Sequence, residues 1–244
     1  MAALCGNTKV CLGSVFEGKL GEKRLEEVGK QSCEPPVSDM AGETLKVAVA
    51  VPSFTGTWPF QFGECLANMV QYFQYSDYDG EHEIRVFAHS GRVIPEVRHR
   101  LIGSAIDWGA THVLMITPEF TFPVDSLHRM LARGRAIIGI NYLRNVVTKE
   151  YSAYRGSATV KPDPKCPETE EVDGVAIGMV LFNIPVFDVL ELPFFDNKLI
   201  LGTPGFEEDF IPFWKQCKEK KIPCVIDHVL SKEIRSLYYG ELWH

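Results

Sequence analysis

The segment Thr111–Pro123, THVLMITPEFTFP, sets an unbroken apolar run, Val113, Leu114, Met115 and Ile116, directly before an acidic residue and a turn. A run without alternation fits a strand covered on both faces, as in the parallel sheets of α/β proteins, and does not fit a strand with one wet face. Chemistry in such sheets gathers at the carboxyl ends of the strands. Glu119 is therefore expected just past a strand end, ahead of Phe122-Pro123 and a helix from Val124 to Arg133.

The flanking sequence repeats this pattern. Leu45–Ser53 reads as a strand, and Phe62, Leu66, Met69, Val70 and Phe73 then share one helical face. Glu83–Ala88 reads as a second strand, followed by the loop His89–Arg92. A helix over Ile94–Trp108 has Pro95 in its first turn, where the missing N–H costs nothing. Ala136–Tyr142 is a further strand. Strands alternating with helices at this spacing predict an α/β domain with a mainly parallel, doubly wound sheet. From Leu143 to Val172 the pattern gives way to polar and Pro-rich sequence, expected to be a long lid or binding loop. Glu171–Phe182 then reads as a strand in which Gly174 and Gly178 permit close backbone approach. Phe206–Lys221 is expected as a helix and Pro223–Asp227 as a last short strand. Residues 1–44 lack sustained periodicity and are expected to form an N-terminal extension with a short helix at Lys19–Lys30, leaving 45–244 as the domain.

A chain of 244 residues, 45% hydrophobic, suffices for one substantial core. A net charge of -7 argues against a broad nucleic-acid surface, which needs clustered Lys and Arg. Seven cysteines without a CxxC pair or zinc-ligand spacing fit reduced thiols in a cytoplasmic protein, with Cys217 and Cys224 as small core residues. The apolar runs are too short for a membrane span of roughly 20 residues, and the N-terminus lacks the features of a signal peptide.

Taken together, these motifs resemble the GT-A-fold glycosyltransferases of the family 2 type, over about Val47 to Gly240. The central strand, acidic triplet, apolar-Pro step and helix are similar to that family's Asp-x-Asp region, with Thr117-Pro118-Glu119 as the triplet. Val51-Pro52-Ser53 resembles the strand end that packs on the nucleotide base. Ile94–His99 resembles a segment close to the nucleotide, and Val172–Leu181 looks like the strand on the acceptor side. Glu207-Glu208-Asp209-Phe210 resembles the Glu-Asp motif that carries the catalytic base of inverting members.

The resemblance implies a Rossmann-like, three-layer α/β/α GT-A domain. It also implies a hexosyl- or pentosyltransferase that moves a sugar from a nucleotide-sugar donor to an acceptor hydroxyl. Glu208 or Asp209 would be the base, and Pro52, Ser53, Arg92, Arg98, Thr117, Glu119 and Arg144 would bind the donor. Glu119 would hold Mg²⁺ or Mn²⁺, which keep several waters and need few protein ligands. Two customary metal positions are altered, since Thr117 replaces the first acid and Ser236 in Leu230–Ser236 stands where a histidine is usual. Without metal, Arg92, Arg98 or Arg144 would stabilise the leaving group. Three other readings stay open: Glu208 and Asp209 as helix-dipole partners, a catalytically silent nucleotide-sugar-binding or protein-interaction module, and sugar modification of nucleic acid bases. His228 is read as structural, and Phe194, Phe195, Phe206 and Phe210 as mostly core.

Overall fold

In the computed structural model, Leu45–Ser53 (β1) is buried at every position but Lys46, as its apolar run requires of a strand with neighbours on both edges. The structure describes residues 44–76, 80–145, 147–162, 168–198 and 207–237. The expected helix at Lys19–Lys30 and the extension up to residue 43 lie outside the described residues, as does Phe206. After β1 come α1 (Phe60–Tyr75), β2 (His82–Ser90), α2 (Ile94–Asp107) and β3 (His112–Ile116). Both β2 and β3 pair with β1 in parallel, from Leu45 opposite His82 and from Val47 opposite His112. The two faces of β1 feed two cores. Val47, Val49 and Val51 join Phe62, Leu66, Met69 and Phe73 of α1, and Ala48 and Ala50 join Val97, Leu101, Ile102 and Ala105 of α2.

The chain continues through β4 (Phe120–Thr121), α3 (Ser126–Ala132) and β5 (Ile137–Gly139). The long loop expected over 143–172 is instead built of short strands: β6 (Leu143–Asn145), β7 (Glu150–Tyr151), β8 (Ala153–Arg155), β9 (Ala158–Thr159) and β10 (Thr169–Val172). β6 pairs with β7, and β8 pairs with β9, both antiparallel. Asn141 holds this region, donating from Nδ2 to the Val160 carbonyl at 2.8 Å and accepting the Ala153 N–H at 3.0 Å. Side-chain amide bonds, not apolar periodicity, define these hairpins.

The single strand expected over Glu171–Phe182 is divided into the end of β10, β11 (Gly174–Val175) and β12 (Met179–Asn183). Both glycines sit where another side chain crosses the backbone closely. A Cβ on Gly174 would lie 2.6 Å from the Trp214 ring, and one on Gly178 would lie 2.5 Å from Tyr142. The last elements are α4 (Pro185–Val189), α5 (Ile211–Glu219), β13 (Cys224–Asp227), α6 (His228–Ser231) and β14 (Arg235–Ser236). α5 is shorter than expected, with Pro212 in its first turn.

The main sheet has the order β10-β13-β5-β12-β3-β1-β2. It is mixed, which corrects the mainly parallel expectation. β12 is antiparallel to both β3 and β5, and β10 is antiparallel to β13. The cause is topological: the hairpins leave from the carboxyl end of β5, so the chain re-enters the sheet at that end, with Met179 opposite Ile116. Helices cover both faces, with α4 and α5 joining α2 on one and α3 and α6 joining α1 on the other. Cys217, Cys224, Phe194, Phe195 and Phe210 are buried in the first of these cores, as the sequence suggests. Among the described residues no helix is long and apolar enough to cross a membrane.

Candidate functional site

The carboxyl ends of β1, β2 and β3 open onto a cleft of about 490 Å³. Its wall includes every residue the resemblance assigns: Pro52, Ser53, Arg92, Arg98, Thr117, Glu119, Arg144, Glu208 and Asp209. They arrive from distant parts of the chain, and the sheet topology brings them together. β1 delivers Pro52 and Ser53. Ser53 Oγ accepts the Gly56 N–H at 3.0 Å, while the Ser53 carbonyl accepts the Gly91 N–H at 3.0 Å. Gly56 takes φ 76°, a left-handed turn that suits glycine. Arg92 follows β2 and is exposed, and Arg98 projects from α2 and is buried.

Past β3, Thr117 is fixed by its N–H to the Gly178 carbonyl at 2.8 Å, with its hydroxyl directed at the same oxygen at 3.4 Å. Glu119 stays exposed at the cleft, where loss of water around its carboxyl holds its pKa above the ordinary value. β14 pairs with β4 beside it, placing buried Ser236 opposite Phe120, and Leu237 N–H bonds the Glu119 carbonyl at 2.8 Å. The segment Leu230–Ser236 thus ends close to the triplet.

Glu208 and Asp209 precede α5, which has no acid in its first turn. Their carboxylates turn to arginines instead of to the helix. Arg98 Nη1 bonds Asp209, and Arg144 engages both oxygens of Glu208, with Nη1 to Oε2 at 2.9 Å and Nη2 to Oε1. Burial works against the Arg144 charge, but the hydrogen bond and charge of Glu208 prevail and raise its pKa. Arg144 also lies over the Phe210 ring at 5.7 Å from the centroid.

Several contributors are not among the residues the resemblance assigns to the site. Tyr142 lines the cleft from the link between β5 and β6, and burial pushes its hydroxyl up to about 12. Phe54, Thr55 and Asn197 also line the wall. His99, one turn beyond Pro95, accepts the Phe194 N–H at 2.9 Å and so fixes the segment that carries Asp196, whose N–H bonds the Asp209 carbonyl at 3.0 Å. His99 closes the Ile94–His99 segment that resembles the nucleotide-side motif, and that place was its signal; an aromatic at the end of an expected strand, like Tyr142, reads as core. His228 lies outside the cleft, buried, with Nε2 2.9 Å from Glu170, a structural contact.

The residues present fit a divalent cation poorly. Glu119 is the lone carboxylate of the altered triplet. The Thr117 hydroxyl is directed at a carbonyl. Among the described residues no group of three or more His, Cys, Asp or Glu is placed to hold a metal.

No protein-family model and no curated protein matches the chain. Among solved structures, A197 from STIV is similar at 13% identity and a TM-score of 0.48, over 75% of this chain and 81% of that one. The nucleoside-diphosphate-sugar pyrophosphorylase from Vibrio cholerae RC9 is similar at 8% identity and a TM-score of 0.47, over 78% of this chain and 94% of that one. Likeness at this level carries no argument about activity.

Proposed function

We propose that the cleft binds a nucleotide sugar by its diphosphate and transfers the sugar to an acceptor hydroxyl, on a GT-A-type three-layer domain. The observation that carries this reading is the convergence of three carboxylates and three arginines on the cleft at the carboxyl ends of the central strands. In the transfer, a Glu208 or Asp209 carboxylate takes the acceptor proton as the acceptor oxygen forms its bond to the anomeric carbon. The bond from that carbon to the diphosphate breaks, and the nucleoside diphosphate leaves with its charge balanced by Arg144, Arg92 and Arg98. Asp209 is committed to buried Arg98, so Glu208, whose pair is exposed, is the better base. Positioned cations take the place of a metal.

A second reading is favoured by one observation: both acids are already engaged by arginines. A nucleotide-sugar-binding module without catalysis would need no free base. The two are separated by incubating the chain with a panel of nucleoside diphosphate sugars together with hydroxyl-bearing acceptors (monosaccharides, Ser/Thr peptides and long-chain alcohols) and measuring binding by calorimetry and release of free nucleotide by chromatography, each with and without EDTA. Binding with nucleotide release that is lost in Glu208→Gln and survives EDTA supports transfer. Binding without release supports the module, and absence of binding to every donor refutes both.

A further inference from the structure

The two acid–arginine pairs on the cleft differ in burial enough to have different fates when an anion arrives. Arg98 and Asp209 leave 7% and 13% of their side chains exposed, whereas Arg144 and Glu208 leave 38% and 43%. Parting a desolvated pair strands charge away from water, while the members of an exposed pair return to water when they separate. An incoming anion therefore opens the outer pair and leaves the inner one closed. We propose that Arg144 is an exchangeable clamp: a diphosphate draws it away from Glu208, and Glu208 becomes a free carboxylate only while the diphosphate is bound. This rests on the diphosphate-binding reading above and adds an order to it, in which the donor releases the base.

The chemistry of the guanidinium supports the exchange. Its planar fork takes two oxygens of a carboxylate or of a phosphate in the same geometry, and Glu208 already occupies that fork with both oxygens. Glu208 is thus an internal competitor for the face of Arg144 that an external anion would use. Stacking over Phe210 keeps the guanidinium at the cleft whichever anion holds it. A diphosphate also carries more charge than one carboxylate, and Arg98 lines the same cleft with a buried Nε that has no hydrogen-bond partner among the described residues. Asp209, held by Arg98 and by the Asp196 N–H, is the positioning residue that keeps its neighbour Glu208 at the cleft while Arg144 moves.

The test is calorimetric titration of the full chain with inorganic pyrophosphate for the wild type, Glu208→Gln, Arg144→Gln and the double variant. Glu208→Gln is expected to bind about two- to fivefold tighter, the range that the strength of an exposed ion pair sets. Arg144→Gln should bind several-fold more weakly, and the double variant should match it, because without the arginine the carboxylate competes for nothing. Glu208→Ala provides a second removal of the carboxylate and should also bind more tightly than the wild type. Binding by both Glu208 variants no tighter than the wild type, with Arg144→Gln still weakened, overturns the exchange and leaves diphosphate binding standing. Equal tightening in both arginine backgrounds, the mark of a general charge effect, overturns it as well. No binding of pyrophosphate by the wild type or by either Glu208 variant overturns both readings.

Discussion

Asp209 and Glu208 are adjacent in the chain, yet removing them should have unlike costs. Asp209→Ala leaves the Arg98 guanidinium, 6% exposed, without its counter-ion, and a stranded buried charge costs about 3 kcal/mol. Glu208→Ala breaks an exposed, screened pair and should cost no more than about 1 kcal/mol. Urea denaturation of both variants checks the contrast; equal losses would mean that burial does not separate the pairs. Glu119 gives a prediction of opposite sign. Its folded-state pKa is raised by desolvation, so between the ordinary value of 4.5 and the folded value the native state binds more protons than the unfolded one. Stability from this group therefore falls as pH rises through that window and stays lower above it. Glu119→Gln should be more stable than the wild type at pH 7, and the two should converge below pH 4.5 in urea denaturations run across pH. The positions that bear these charges were legible in the sequence because the resembling motifs fall at strand ends and at the start of a helix. Their partners were not, since nothing local in the sequence says that Arg98 meets Asp209, 111 residues away.

The bend at Gly178 is where an element-level error would do most damage to the cleft. Its carbonyl accepts the Thr117 N–H, and the missing Cβ leaves room for the rings of Tyr142 and Phe120. Gly178→Ala should therefore force these rings to shift, at a cost of roughly 1–3 kcal/mol as for other overpacked sites. It should also weaken pyrophosphate binding, because Tyr142 and Thr117 both line the cleft. A variant as stable as the wild type in urea would show that the rings give way freely. The main strands and helices were readable because period-two or unbroken apolar runs and 3.6-residue faces report burial directly. The direction of β12 was not, since an unbroken apolar run looks the same whichever way it lies in the sheet. The hairpins of β6 to β9 escaped because their anchor is one buried amide, Asn141, not a repeating pattern.

At the scale of the molecule, the seven-stranded sheet couples the titration of one histidine to global stability. His112 opens β3, opposite Val47 of β1 and Asn183 of β12, in the interior of the sheet. Burial lowers its pKa from 6.5 to about 4, because the charged imidazolium cannot keep its water there. Over that interval the unfolded chain binds more protons than the native one, so the stability of the fold is fully present above pH 6.5 and declines as pH falls toward 4. Glu119 acts in the contrary sense only above its ordinary value of 4.5, where falling pH restores stability, so it shallows the acid limb and does not create it. Chemical denaturation at closely spaced pH values between 4 and 7.5 should show a declining limb below pH 6.5, and His112→Gln should flatten it while leaving the slope above pH 6.5 unchanged. An unaltered limb in that variant would assign the decline to other groups and remove β3 as the link between protonation and unfolding. His112 stands at the start of β3 and the cleft at the carboxyl ends of β1 and β3, so pyrophosphate binding should persist until the fold itself is lost. Loss of affinity at a higher pH than loss of the fold would show that the cleft opens before the sheet does.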